Sequence, residues 1–324
     1  LPKLRRALSE LGMLAVAGAI WARLALPAPG LVWSGTLRID GLAAFVDLYI
    51  LAALFLTLWM AGPFLRRNDS ERGEFYVLAL FAAVGAMVMA SAVNLLTVFL
   101  GLELLSIPLY VLNAFFRRSV ISLEAGLKYF VVGAFASAFV LYGMALLYGA
   151  TASTDLAVIV NAVAAGAALD PLVALGLAMV VAGLAFKLAV VPAHAWAPDV
   201  YQGSPTPVTA FLSVVPKGAA LIVLLRLAEG MDLARLSAGW VTAIATMAVA
   251  SQTLGNLIAI VQRDVKRMLA YSGIAHMGYA LVAVLVGGPD GASAVLVYLV
   301  AYTFMNMGAF AALALLSESE DRPH

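Results

Sequence analysis

Ten stretches of this chain are apolar for long enough to cross a lipid bilayer: residues 11–27, 42–63, 74–92, 94–116, 123–150, 171–191, 207–228, 238–262, 265–287 and 292–316. A hydrocarbon core about 30 Å thick requires roughly 20 apolar residues in a helix. The chain therefore reads as an all-α polytopic membrane protein, a bundle of about ten transmembrane helices. Its composition fits only that reading, because 64% of the residues are hydrophobic and 11% charged, far from a soluble domain. The first stretch has no small-residue cleavage site and reads as a span, not as a targeting peptide. Breakers such as Pro27 to Gly30, Arg66 to Gly73 and Gly287 to Gly291 separate the segments. The longest polar-leaning gap is Thr151 to Asp170, and the residues show no soluble domain, low-complexity tract or convincing internal repeat.

Several function classes have no machinery here. With no cysteine there is no disulfide, no thiolate ligand for a metal or iron–sulfur cluster and no cysteine nucleophile. Electron transfer within this chain is not expected. A net charge of +1 excludes a generally basic nucleic-acid surface, and no Gly-rich phosphate loop, metal-ligand cluster or Ser-His-Asp set appears.

The cations orient the bundle, since short cytoplasmic loops hold the excess of Lys and Arg. Threaded through ten helices, one face takes Lys3, Arg5, Arg6, Arg66, Arg67, Arg72, Arg117, Arg118, Arg263, Lys266, Arg267 and Arg322, and the other only Arg23, Arg38, Arg226 and Arg235. The start of this chain is thereby expected in the cytoplasm. Lys128, Lys187 and Lys217 belong to neither face.

Those three lysines and Glu103 are where chemistry can live, because an ionisable group at membrane depth costs a few kcal/mol and turns toward a partner or water. Glu103, in "LTVFLGLELLSIPLY", lies about nine residues, roughly 13 Å, into its helix. A protonated structural carboxyl is the plainer alternative to an ion partner or proton carrier there, and Pro108 nearby can kink the helix. Lys187 comes late in its segment and could snorkel, but Pro192 follows it in "FKLAVVPAHAWAP" and predicts an interrupted helix of the kind that lines a hydrated site. Lys217 lies about ten residues, roughly 15 Å, beyond the helix start at Thr206 and Pro207, too deep to snorkel. Lys128, four residues after Glu124, reads equally as an interfacial salt bridge and as a member of the same path. His194 is either a switchable proton donor or an interfacial anchor beside Trp196. His276 carries the same ambiguity, and Asp47, near a helix end, reads as reaching headgroups.

The stretches "GLELLSIPLYVL", "SLEAGLKYFVVGAFASAFVLYG", "FKLAVVPAHAWAPDVYQGSPTPVTAFLSVVPK" and "KRMLAYSGIAHMGY" resemble the subunit N family of bacterial NADH-quinone oxidoreductase, respiratory complex I, whose mitochondrial counterpart is subunit 2. The resemblance covers roughly residues 74–316. "DVYQGSPTPVTAFLSVVPK" is specific to that family; the L and M subunits and the multisubunit sodium/proton antiporters share only the layout of buried Glu and Lys.

The resemblance implies an antiporter-like fold with discontinuous helices near Pro192 and Pro216. It implies peripheral helices over 1–73, a first five-helix repeat over 74–228 and the start of an inverted second repeat over 229–324. It also implies a proton-translocating subunit in the bacterial inner membrane without a cofactor of its own, driven by quinone reduction elsewhere. NADH, FMN, iron–sulfur clusters and quinone would be held by partner subunits, and its neighbours would be the antiporter-like M subunit, small K/J-type subunits and lipid, with no nucleic acid. Glu103 corresponds to the family's buried helix glutamate, Lys187 to the lysine paired with it and Lys217 to the central lysine. Burial disfavours a charged ammonium and a nearby carboxylate favours it, so Lys187 can load and release a proton as its neighbour's charge changes. The rival readings are a subunit of a cation/proton antiporter or membrane-bound hydrogenase, and a structural membrane anchor. A start at Leu1 and a stop after "SESEDRPH" further suggest an internal fragment lacking one helix before it and about four after it.

Overall fold

The computed structural model describes residues 2–25, 30–164, 170–228 and 238–316, and the side chains within them except those of 2–7, 164 and 238. Ten helices are long and apolar enough to cross a membrane: α1 (Pro2–Ala25), α2 (Gly41–Arg67), α3 (Gly73–Ser91), α4 (Leu95–Asn113), α5 (Val120–Thr151), α7 (Pro171–Leu188), α9 (Thr206–Ala228), α10 (Ala238–Ile260), α11 (Val265–Val286) and α12 (Gly288–Leu316). They match the ten apolar stretches to within a few residues at most ends. Two short helices, α6 (Leu156–Ala164) and α8 (Ala197–Gly203), and a two-stranded hairpin, β1 (Gly30–Val32) with β2 (Leu37–Ile39), complete the described elements.

Helix starts follow local chemistry. Asp40, Asn94, Ser119, Asp170 and Asp264 each cap a first turn by accepting a backbone N–H. Helix contacts follow small residues, as expected where burial from lipid gives little drive. Gly85 of α3 faces Gly101 of α4, and Gly143 of α5 faces Gly176 of α7. α9 is the hub, with 94% of its most apolar window buried against α2, α3, α4, α7, α11 and α12.

The hairpin escaped sequence reading because its turn places Trp33 and Ser34 at φ of 50° and 54° instead of using the Asn-Gly signal that normally marks such turns. It packs at one end of the bundle, where Leu37 bridges to Ala92 and Asn94 to Asp155. At this end Arg226, 5% exposed, grips Asp40 through two bonds of 3.0 Å and the Ala90 carbonyl at 2.7 Å. The opposite end carries Arg66 on Glu71 at 2.9 Å and the cations of the α10–α11 turn.

Several expectations are corrected. α9 runs unbroken through Pro216, so no second discontinuity forms there. Proline removes a single backbone donor, and burial on all sides holds the turn together while the Tyr49 hydroxyl donates to the Val214 carbonyl at 2.9 Å. Asp47 does not reach headgroups; it is buried and pairs with Arg23 at 3.0 Å. Lys266, one of the cations of that end, is buried and its ammonium donates to the Ser204 carbonyl at 3.0 Å. Arg235, Arg322, the 26–29 turn and the "SESEDRPH" tail lie outside the described residues, as do the side chains of Lys3, Arg5 and Arg6.

Lys128 sits in an interfacial ion cluster. It contacts Glu124 and Asp199, each at 2.7 Å, and Arg267 approaches Asp199 from the other side. The cluster ties α5, α8 and α11 together. Burial alone would raise the Asp199 carboxyl, but hydrogen bonds from Lys128 and Arg267 outweigh it and hold it below its usual 3.8. A carboxyl depressed by folding stabilises above its unfolded value and loses that contribution as pH falls through the folded one. Asp199→Asn is therefore expected to lower the thermal unfolding temperature in detergent by the same margin at pH 7 and pH 5. The margin should close below about pH 3.8; an unchanged margin at low pH would remove the cluster from the stability account.

Candidate functional site

α7 ends inside the bundle. Its last residues form a Schellman motif, with the Val190 N–H bonded to the Ala185 carbonyl at 3.1 Å and the Ala189 N–H to the Phe186 carbonyl at 2.9 Å. Ala189 takes the left-handed conformation, φ 56°, that such a stop demands. Trp196 Nε1 donates to the same Phe186 carbonyl at 3.1 Å, and the Val191 N–H is taken by Ser251 Oγ of α10 at 2.9 Å. Residues 189–196 thus form a pinned break between α7 and α8, where Pro192 predicted one.

Lys187 stands at that stop and is 2% exposed. Its ammonium donates to Ser106 Oγ of α4 at 2.6 Å and lies 5.4–5.9 Å from the ring centres of Tyr129, Phe186 and Tyr110, within cation–π range. Ser106 in turn donates to the Leu102 carbonyl. Glu103, Ser106 and Tyr110 share one face of α4 by their spacing, yet Glu103 makes no ion pair with Lys187 within 4.0 Å. Ser106, not a carboxylate, is the group that the Lys187 ammonium touches. One Glu103 oxygen, Oε1, is buried without a hydrogen-bond partner.

Lys217 is 1% exposed. It donates to the Tyr302 hydroxyl of α12 at 3.3 Å and lies 5.7 Å from the Tyr201 ring centre and 5.8 Å from that of Tyr302. Gly273 of α11 makes room for it: a Cβ there would come within 2.7 Å of the ammonium. Beyond Tyr302, the His276 ring lies 5.3 Å away and its Nδ1 meets the Tyr298 hydroxyl. Tyr129, Trp196 and Tyr201 form an aromatic bridge between the two lysines, with centroid separations of 4.9 and 6.4 Å.

The buried polar atoms without partners concentrate here. Besides Glu103 Oε1 they include the Tyr110, Tyr129 and Tyr201 hydroxyls and His194 Nδ1. Lys128 stays with its interfacial carboxylates, and His194 makes no side-chain hydrogen bond among the described residues. Sequence reading missed Ser106, Tyr298 and Tyr302. Ser106 is three residues from Glu103, so helical spacing from a known ion was the available signal there, while the two tyrosines stand four apart in α12 beside Thr303 and Asn306 and share one face.

Comparison with known proteins identifies the family and the fold. The family described as NADH:quinone oxidoreductase/Mrp antiporter, transmembrane, matches residues 92–323. NADH-quinone oxidoreductase subunit N of Trichlorobacter lovleyi is 44% identical over 88% of this chain and 59% of its own length, and subunit N 2 of Rhizobium meliloti is 44% identical over 89% and 60%. The chain thus spans about three fifths of the length of these curated relatives. A solved chain from respiratory complex I of Thermus thermophilus superposes with a TM-score of 0.82 at 38% identity, covering 97% of this chain and 66% of that one. The chain belongs to the NADH:quinone oxidoreductase/Mrp antiporter family of transmembrane subunits, and the curated relatives it matches within that family are subunits N of NADH-quinone oxidoreductase.

Proposed function

We propose that this chain moves protons across the membrane along Glu103, Lys187 and Lys217 as part of an NADH-quinone oxidoreductase, in response to quinone reduction elsewhere in the complex. The observation that carries this reading is a pair of fully buried lysines, neither in contact with a carboxylate. An ammonium so placed has given up water for a hydroxyl and aromatic faces, and its charge is kept only while a nearby negative charge helps. Glu103 supplies that charge through space. When Glu103 is neutralised or moves, Lys187 sheds its proton toward Lys217, and the change in charge passes to the next group through the linked titration of the set. Unpartnered hydroxyls at Tyr129 and Tyr201 line the interval and can hold ordered water, while Tyr302, His276 and Tyr298 extend the polar track beyond Lys217. Lys128 and His194 serve as entry groups at its margin.

The resemblance supplies the wider setting of the proposal. Residues 74–228 form the first antiporter-like repeat and 229–324 open the second, with 1–73 peripheral. NADH, FMN, iron–sulfur clusters and quinone belong to partner subunits, and the M-type and K/J-type membrane subunits are the neighbours in a bacterial inner membrane. The cation-rich end faces the cytoplasm. Arg263 is exposed at that end and these 324 residues contain no cysteine, so Arg263→Cys adds a label site whose signal is read against the unsubstituted protein. A membrane-impermeant maleimide should react with it in inside-out vesicles and not in intact cells; the reverse pattern would invert the topology. The function itself is tested by energising inside-out vesicles containing the assembled complex. Acidification should be independent of sodium; a sodium requirement would favour cation exchange instead.

A further inference from the structure

The end of the bundle that carries the Arg66–Glu71 pair also carries a cleft outside the buried lysine system. It measures about 440 Å3 and lies between the α2–α3 turn, with Asp69, Arg72 and Glu74, and the α4–α5 turn, with Arg117 and Arg118. All three arginines are exposed, and none makes an ion pair among the described residues. Glu71 in the cleft wall is already satisfied by Arg66 at 2.9 Å and the Tyr76 hydroxyl at 3.1 Å. That leaves three free guanidiniums against the two carboxylates of Asp69 and Glu74, so the cleft is complementary to a ligand of one net negative charge.

The arginine pair is held in place. Phe115 packs edge-on against Phe75 at 5.2 Å, Phe116 stacks on Phe64 at 6.1 Å, and the Ser119 N–H closes the turn on the Phe116 carbonyl at 3.1 Å. A second, apolar groove of about 410 Å3 adjoins the cleft and shares Glu74, Phe115 and Arg117 with it. It runs between α3 and α4 past Val77 and Val111, each 51% exposed. Val77 is one turn into α3 and Val111 is in the last turn of α4, so the cleft lies at the level of the helix ends and the groove leads from there toward the bilayer centre. A cationic cleft at headgroup depth that opens into an apolar track has the shape of a phospholipid: guanidinium forks match phosphate oxygens, and the groove matches a chain.

We propose that the cleft and groove together bind one monoanionic glycerophospholipid, with its phosphate between Arg117 and Arg118, Arg72 at the headgroup and an acyl chain along Val77 and Val111. The site is independent of the proton path. The test places the assembled complex, with its full-length subunit, in phosphatidylcholine nanodiscs. These contain a small fraction of phosphatidylglycerol bearing a diazirine in its acyl chain or, in parallel, the matching phosphatidylcholine probe. After photolysis, peptide mass spectrometry should find the α3 and α4 groove residues labelled about fivefold more by the anionic probe, the scale of a single surface arginine's attraction for anionic lipid. Arg117→Ala/Arg118→Ala should reduce that labelling to the neutral-probe level, and Arg117→Lys/Arg118→Lys should restore part of it. Equal labelling by the two probes in the wild-type complex would overturn the proposal without recourse to any variant. So would a groove labelled by neither probe and cross-linked instead to another subunit.

Discussion

Lys217→Ala is expected to lower quinone-coupled turnover about fivefold or more, roughly 1 kcal/mol of barrier, while the complex still assembles. Assembly should survive because the substitution removes a buried ammonium that no carboxylate contacts. The lost contacts to Tyr302 and Tyr201 are offset by relief from desolvating the charge. Turnover should fall, because Tyr302, His276 and Tyr298 lie beyond Lys217, and without its ammonium the charge on Lys187 has no neighbouring cation through which to act on them. Measuring turnover together with native-gel assembly separates this from a structural-anchor role, for which the same variant would assemble and turn over normally.

Gly101→Leu should have the largest effect on folding. A Cβ at Gly101 would lie 2.5 Å from the Met89 backbone nitrogen and 2.9 Å from the Gly85 carbonyl oxygen; one at Gly85 would lie 2.3 Å from the Leu105 nitrogen. These are backbone atoms of helices in contact, so no rotamer change can yield the space. The helices must separate, and overpacking costs about 1–3 kcal/mol and occasionally more, the upper end applying where the obstacle is backbone. Glu103 and Ser106 would move with α4. The expected result is loss of folded protein in detergent, whereas Gly308→Ala, where a Cβ meets nothing within 4 Å, should leave stability unchanged. Equal stability of the two variants would remove the α3–α4 contact from the account.

What could be read from the sequence, and what could not, divides along physical lines. The spans were legible because lipid permits one solution to the backbone's hydrogen bonding, and hydrophobic length reports it directly. The break at Pro192 was legible because a proline followed a helix with nothing to continue it. Pro216 misled in the same terms: α9 is buried on all sides, and packing keeps a proline-containing helix intact. Asp47 and Arg23 read as separate interfacial groups, because their pairing joins α1 to α2 across 24 residues. Glu103, Lys187 and Lys217 stood out by their charge alone. Their hydroxyl and aromatic partners did not, since Ser106, Tyr129 and Tyr302 belong to three different helices and look like ordinary spanning residues until the fold brings them to the ammonium groups.

The central claim is that Glu103, Lys187 and Lys217 act as one coupled system, and a double-mutant cycle on proton pumping tests it most directly. Initial rates of vesicle acidification are compared for the wild-type complex, Glu103→Gln, Lys217→Ala and the double variant, at matched assembly. Residues acting as a unit are non-additive, so the account predicts that the double variant pumps no more slowly than the worse of the two single variants. Losses that multiply would mean the carboxylate and the lysine act independently, and would contradict it.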